Sequence, residues 1–255
     1  GGDAPSLAPW RALAAAPGLA RSILLSVGTG AGATALSLAI VFAFCAAAHE
    51  TRLFAHARRL LAPLVAIPHV AMAMGLAFLI APSGWLVRLF SPWLTGWERP
   101  PDLLILQDPL GLSLIAGMVV KEIPFLLLMS IAAMGQVGGA KQLAVAQSLG
   151  YGRVAGWLAV VFPAIYIRIR LPVLVVLAWS MSVVDVAVIL GPSTPSTLSV
   201  QIVRWMSDPD LAFRLQAAAA ALAAEALDAD LADLVELDEV IDPLLESYTD
   251  EWIAD

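Results

Sequence analysis

The chain has 255 residues, of which 60% are hydrophobic and only 14% are charged, and its mean hydropathy is +0.85. Soluble domains carry about 25% charged residues, so this composition excludes an ordinary soluble protein and indicates an integral membrane protein. The apolar runs have the length of spanning helices, which predicts an all-α polytopic membrane helix bundle rather than a β-barrel.

Four apolar runs predict the spans of this bundle. The first span contains no charged residue, and its length as a helix, at about 1.5 Å per residue, exceeds the thickness of the hydrocarbon layer. The third begins at Asp108-Pro109, a helix start in which an N-cap residue precedes proline. A fifth span, Leu211–Leu227, is truncated or atypical because Arg214 and Glu225 interrupt it. The four clear spans are predicted at Ser22–Ala48, about Leu64–Ala81 after Pro63 and Pro68, Asp108 to about Met134, and about Leu171–Leu190.

Charge divides the chain into unlike regions. Residues 1–224 carry 14 basic and 9 acidic residues, whereas residues 225–255 carry 12 acidic residues and no basic residue. We therefore predict an outer loop or interfacial segment at 1–20, a transmembrane domain at 21–215, and an acidic amphipathic helical tail at 216–255. Two origins of this tail stay open. It is either a foreign sequence, produced by a shifted reading frame or an engineered junction, or a genuine surface helix of the protein.

Basic residues near the span ends predict the orientation, because cytoplasmic loops carry the excess of Lys and Arg. The N-terminus is then outside, and the loop at 140–163 is cytoplasmic. The richer side holds Arg52, Arg58, Arg59, Lys141, Arg153, Arg168 and Arg170, against Arg11, Arg88, Arg99 and Arg204 on the other.

The loop at 140–163 is short, rich in small residues and interrupted by Gly150-Tyr151-Gly152. We predict one helix before this interruption, at Ala140–Leu149, and a second after it, at Arg153–Phe162, which stops near Pro163. Gly150 suits the left-handed backbone position that closes a helix. Two short helices joined by a glycine elbow predict a rigid projection at one membrane face.

This loop resembles a cytoplasmic motif of the permease subunits of binding-protein-dependent ABC importers, which have a type I fold. The motif reads Glu-Ala-Ala, three residues, Gly, twelve residues, Pro, and the resemblance covers roughly residues 20–215. The chain departs from the motif at Ala144, where the family has Glu, and at Val145, where it has Ala. The docking residues that the resemblance implies are Ala144, Val145, Ala146, Leu149, Gly150, Gly152 and Pro163.

The resemblance implies a permease component of an ATP-driven importer in the bacterial inner membrane, with the loop as a coupling helix that docks an ATPase subunit. The implied partners are that ATPase, a second permease half or subunit, a soluble substrate-binding protein and membrane lipid, without nucleic acid. The chain would then be the second half of a fused permease or a separate subunit. ATP would be bound by the partner, because this chain has no G-x-x-x-x-G-K-[ST] loop; we expect no enzyme and no cofactor here.

Ionisable residues inside the predicted spans are the other candidates for function. Lys121, Glu122 and Pro124 lie midway through the third span, and Asp185 lies in the fourth. Charges at this depth are costly, so they line a solute path or bond to neighbouring helices, and both readings stay open. They also leave an alternative function open, an ion-coupled secondary transporter that works without an ATPase. The three histidines lack suitable partners, so we predict no metal site.

Overall fold

The computed structural model describes residues 7–227 and Ala229. Within these residues the secondary structure is helical, with no β-strand. This confirms the all-α class. The helices are α1 (Ala8–Ala14), α2 (Leu19–Ala48), α3 (Arg52–Ala66), α4 (His69–Ile80), α5 (Trp85–Phe90), α6 (Leu112–Val137), α7 (Gly139–Ser148), α8 (Arg153–Gly156), α9 (Phe162–Ser182), α10 (Asp185–Leu190), α11 (Leu198–Met206) and α12 (211–227).

Four helical segments are long and apolar enough to cross a membrane, which confirms the polytopic bundle. They are Leu19–Ala48, His69–Phe90, Leu112–Val137 and Arg153–Ser182. The weak fifth span predicted at 211–227 is helical as α12 but is not among these four. Most of the acidic tail predicted at 216–255 lies outside the described residues, as do residues 1–6 of the predicted outer segment.

The predicted boundaries of the fourth span were wrong. The helix begins at Arg153, runs through Pro163 to Ser182, and breaks before α10. Pro163 does not stop it, because the preceding residues Trp157–Val161 form a wide π turn in which Phe162 N–H donates to the carbonyl of Trp157. A π turn closes over five residues instead of four, so the helix can accommodate a proline that lacks an N–H donor.

The second span also begins later than predicted. Pro63 lies inside α3. The helix is interrupted at Ile67 and Pro68, after which α4 begins. Ile67 has an extended backbone with ψ of 128°, which is the region that a following proline imposes on its neighbour. The last carbonyl groups of α3 therefore lack their usual helical donors at this break.

The sequence predicted that α6 starts at Asp108, but the helix starts four residues later. The Asp108 side chain nevertheless caps it. The helix begins at Leu112, after Gly111 in the left-handed region. The Asp108 carboxylate accepts hydrogen bonds from the backbone N–H groups of Leu110 (3.2 Å), Leu112 (2.9 Å) and Ser113 (2.9 Å). The Ser113 hydroxyl lies 2.9 Å from Asp108 and 2.6 Å from the carbonyl oxygen of Leu190, which connects the start of α6 to the end of α10.

We expect Asp108→Asn to lower the free energy of unfolding by about 1–2 kcal/mol, as loss of a helix cap does. Burial raises the pKa of Asp108, but the hydrogen bonds from Ser113, Leu112 and Leu110 outweigh it and hold the pKa below the ordinary value of 3.8. The carboxylate thus stabilises the fold fully above pH 3.8, and this contribution is lost as the pH falls through the lower folded pKa. Melting in detergent micelles tests this, with exposed Asp102→Asn as control; equal losses in both variants would contradict it.

The described residues divide into two compact units, one at Pro17–Val203 and one made of the described residues before 17 and after 203. The larger unit has two apolar clusters. One surrounds Trp157, which is fully buried against the rings of Phe42 and Phe162. The other surrounds Met118 and Leu190, where α6 packs on α10. Both candidate sites belong to this larger unit.

Candidate functional site

The loop at 140–163 contains most of α7, a tight turn, α8, the π turn and the first two residues of α9. Gly150 has φ of +92°, in the left-handed region that was predicted for it. The N–H of Gly150 donates to the carbonyl of Gln147 (3.0 Å), and the N–H of Tyr151 donates to the carbonyl of Ala146 (3.1 Å). The turn thus closes the C-terminus of α7 and reverses the chain into α8.

The inner side of this turn is packed tightly. Leu143 and Ala146 are buried on α7, and Gly156 is buried on α8. A Cβ atom added to Gly156 would lie 3.2 Å from Cβ of Ala146 and 3.4 Å from Cβ of Tyr151. A larger residue at position 156 would therefore require its neighbours to shift by a few tenths of an ångström, and Trp157 continues this contact into the buried core.

The outer side of the turn is apolar and exposed. Large hydrophobic side chains on a protein surface that lie close together commonly mark a binding surface. Leu149 is 74% exposed, more than most hydrophobic residues of the chain, and Tyr151 follows it two residues later. We name this surface the docking tip, and its residues are Val145, Leu149, Tyr151 and Val154.

The predicted docking residues do not all lie on this tip. Ala144, Val145, Leu149, Gly150 and Gly152 are exposed around the turn. The other two lie elsewhere in the described structure. Ala146 is buried on the inner side of α7, and Pro163 is exposed at the start of α9, ten residues after the first residue of α8.

Sequence analysis also misjudged which glycines this turn requires. Gly152 has φ of −64°, which any residue adopts, and a Cβ atom there would meet nothing within 4 Å. Gly156 was missed, although its position beside a buried tryptophan is a signal of close packing. Tyr151 and Val154 were missed because the family motif does not name them, while their exposure is visible only in the fold.

The base of the turn contains polar groups at the end of α2. His49 follows the last residue of α2 and is buried, with its ring 5.4 Å from that of Phe54. Burial lowers the pKa of His49, the nearby Glu50 raises it, and Arg153 at the start of α8 lowers it further. The net shift of the His49 pKa is downward, so burial and the charge of Arg153 together favour the neutral imidazole.

A cavity of about 280 Å³ lies between α3, α4, α6 and α9 inside the larger unit. It contains two of the four predicted solute-path residues, Lys121 and Glu122. Pro124 is buried within unbroken α6 and does not line this cavity, and Asp185 is exposed at the start of α10. We name this space the α6 cavity, and its lining residues are Val65, His69, Lys121, Glu122, Phe125, Val175, Val176 and Trp179.

The charged groups of the α6 cavity bond to different helices. The Lys121 ammonium donates to the carbonyl oxygens of Val65 (2.7 Å) and Ile67 (2.6 Å), at the break between α3 and α4. Glu122 Oε1 accepts a hydrogen bond from the Ser180 hydroxyl on α9 (2.6 Å). Glu122 Oε2 is buried and forms no hydrogen bond of standard geometry among the described residues, although the Ser37 hydroxyl on α2 lies near enough to interact with this carboxylate. These neighbouring residues of α6 thus bond to different helices, Lys121 to the end of α3 and Glu122 to α9.

No group of three or more His, Cys, Asp or Glu side chains in the described residues has the arrangement of a metal site. The only cysteine, Cys45, is buried in the apolar cluster around Trp157.

Comparison with known proteins identifies the kind of protein to which this bundle is related. No family model matches the sequence. The "Inner membrane ABC transporter permease protein YnjC" of Escherichia coli (strain K12) is 34% identical over 219 residues, which make up 85% of this chain. The chain is a homologue of an ABC transporter permease. It spans about 40% of the length of this relative. The permease homology and the four candidate spans support a multi-pass protein of the inner membrane.

Proposed function

We propose that this chain is the transmembrane permease component of an ATP-driven ABC importer and that its docking tip binds the ATPase subunit. The homology to an ABC transporter permease supports the class of protein. The partners in this proposal are an ATPase that binds ATP, a second permease half or subunit, and a soluble substrate-binding protein. The loop at 140–163 is then cytoplasmic and the N-terminus is outside.

The observation that carries the docking role is the exposure of the tip. Val145, Leu149, Tyr151 and Val154 present apolar surface around a turn whose interior is held by Gly156 and Trp157. A projection with a packed interior moves as a rigid body when a partner pushes it. Because α8 continues into the spanning helix that ends at Ser182, movement of the tip is transmitted directly to α9.

We also propose that the α6 cavity belongs to the solute path. Ionisable residues at membrane depth commonly face such a path. Lys121 and Glu122 line this cavity, whereas Pro124 lies within α6 and Asp185 at the start of α10, both outside the lining.

One observation favours the alternative, an ion-coupled secondary transporter. The helix break at Ile67 and Pro68 adjoins the cavity that Glu122 helps to line, and secondary carriers use broken helices and buried carboxylates for ion and solute sites. The two functions differ in one requirement. An ion-coupled carrier takes up solute without an ATPase, whereas the proposed permease requires one.

Leu149→Asp tests the docking role. A charge in the centre of an apolar contact should weaken binding of the ATPase by about tenfold or more, because the carboxylate loses its water on binding. Leu104→Asp is the matched control, since Leu104 is 68% exposed in the segment between α5 and α6. The measurement is co-purification of the ATPase with the permease from membranes, together with ATP-dependent uptake. Full ATPase binding by Leu149→Asp would refute the proposal, and uptake without ATPase would favour the secondary carrier.

A further inference from the structure

We infer that the outward surface of α3 binds an anionic phospholipid, with the phosphate of the lipid at two arginines and its acyl chains along a row of leucines beside them. The inference goes beyond the proposed function, because it concerns the lipid around the bundle and depends on neither the solute nor the ATPase. We name this surface the α3 lipid face, and its residues are Arg52, Leu53, Arg59, Leu60 and Leu64.

The bundle occupies one side of α3. Leu61 is buried on this side, and Phe54 and Val65 are half-buried. The ring of Phe54 stacks 5.8 Å from that of Phe44 on α2, and the carbonyl oxygen of Val65 accepts a hydrogen bond from Lys121 on α6. Residues seven and four apart lie on the same side of a helix, so these contacts define the inner side of α3. The rest of its surface is left outward.

The outward surface has a row of leucines beside a row of arginines. Leu53, Leu60 and Leu64 are 63%, 58% and 42% exposed and follow the same spacing of seven and four residues. Arg52 and Arg59 are also exposed, and each precedes one of these leucines by one residue. The arginine row therefore lies about 100° further round the helix axis than the leucine row. Helices that contact a membrane interface combine basic and apolar rows in this way.

The helix α3 runs from the face of the docking tip into the membrane. His49, which precedes α3, lies near enough to Arg153 on α8 to interact with it electrostatically. At the other end, Lys121 bonds to Val65 and lies about 24 Å from the end of α6 at Val137. The first turns of α3 are therefore at the level of the lipid head groups, and its last turns are among the acyl chains.

This placement puts each row at the lipid group that it suits. Arg52 is the first residue of α3, and Arg59 is about 10 Å further along the helix. Arginine side chains near a helix end extend back to the interface, so both guanidinium groups can contact one phosphate. Leu60 and Leu64 lie deeper and present their apolar side chains to the acyl chains of the same lipid.

The charge around the α3 lipid face favours an anionic lipid over a zwitterionic one. The helices α2, α3, α4 and α9 contain no Asp or Glu, and the only acid of α6, Glu122, bonds to Ser180. Residues 50–59 contain three arginines and one acid, Glu50, so their net charge is 3 − 1 = +2. Guanidinium groups bind phosphate through paired hydrogen bonds. The ammonium of a zwitterionic head group would be repelled by this charge, so a phospholipid with a net negative charge fits best.

Lipids with the same acyl chains and different head groups test this inference on the purified chain in detergent micelles. Native mass spectrometry compares dioleoyl phosphatidylglycerol with dioleoyl phosphatidylcholine. The anionic lipid should bind about tenfold more tightly, and it should raise the unfolding midpoint more than the zwitterionic lipid. Glycerol 3-phosphate, which supplies a phosphate without acyl chains, should not compete. Equal affinities for the two lipids, or competition by glycerol 3-phosphate, would overturn the inference.

Variants locate the lipid on α3. The pair Arg52→Gln and Arg59→Gln should weaken binding of phosphatidylglycerol about tenfold and leave phosphatidylcholine unchanged. The control pair Arg11→Gln and Arg99→Gln removes the same charge from exposed positions elsewhere and should keep the preference. If the first pair does not fold, Arg59→Gln alone should weaken binding of the anionic lipid about threefold. An unchanged preference in a folded α3 variant would contradict the inference.

The same spectra show whether a second copy of the chain covers this face instead of lipid. A dimer of the wild type that dissociates in the Arg52→Gln and Arg59→Gln variant would overturn the inference. This variant leaves the docking tip unchanged, so it should still co-purify with the ATPase. Loss of lipid preference with the ATPase bound therefore supports the α3 lipid face separately from the docking proposal.

Discussion

Gly30→Val is expected to lower the free energy of unfolding by about 3 kcal/mol, because α2 and α9 approach each other too closely at this position for a side chain. A Cβ atom on Gly30 would lie 2.6 Å from Cγ of Met181, 2.9 Å from its backbone nitrogen and 3.1 Å from its Cα. The side chain of Met181 can move aside, but its backbone cannot do so without shifting α9. Close packing at small residues is a main source of helix association in lipid, so the loss should affect the whole bundle.

Gly28→Val provides the control within the same helix. Gly28 is exposed, and a Cβ atom there would meet nothing within 4 Å, so this variant should change stability by no more than about 0.5 kcal/mol. The measurement is the midpoint of unfolding in mixed micelles of SDS and a mild detergent. Both substitutions add the same side chain to α2, so a difference between them reports the contact with Met181. Equal midpoints for the two variants would show that α2 and α9 do not pack as described.

The number and the approximate positions of the spans could be predicted because apolar length and composition determine them. Ser22–Ala48 differs from α2 by only three residues at its start. Boundaries set by backbone geometry could not be predicted as well. Proline is read from sequence as a helix end, but the π turn before Pro163 lets α8 continue into α9, whereas the helix does end before Pro68, between α3 and α4. Nothing in the sequence distinguishes Pro163 from Pro68. The difference lies in which donors the preceding carbonyl groups find: a backbone N–H in the π turn before Pro163, and the Lys121 ammonium before Pro68.

The candidate sites show the same division. Gly150 was predicted as a left-handed residue from its place after a short helix, and its φ of +92° confirms this. Which loop residues face outward was not predictable, because the direction of α8 depends on the contact of Gly156 with α7. Lys121 and Glu122 were identified as unusual charges in a span, but their partners lie 54 to 58 residues away in sequence and follow from the packing of α6 between α3 and α9.

Lys121→Met is expected to lower the free energy of unfolding by about 2–4 kcal/mol, since it leaves two carbonyl groups at the break between α3 and α4 without their donor. Lys121 is the tenth residue of the 26-residue helix α6, about 14 Å from its beginning, where water is scarce. The carbonyl oxygens of Val65 and Ile67 would then be unsatisfied in an apolar environment. The break should open, which would also alter the wall of the α6 cavity at Val65 and His69.

Lys141→Met is the matched control, because Lys141 is exposed on α7, and Lys121 and Lys141 are the two lysines of the chain. Its removal should leave the unfolding midpoint unchanged. Amine-reactive labelling followed by peptide mapping gives a second measurement on the wild type: Lys141 should react rapidly, and Lys121 should react only after unfolding. Lys121→Arg should restore part of the lost stability, because the guanidinium retains N–H donors for the two carbonyl groups. Rapid labelling of Lys121 in the folded protein, or wild-type stability of Lys121→Met, would show that this ammonium does not hold the break.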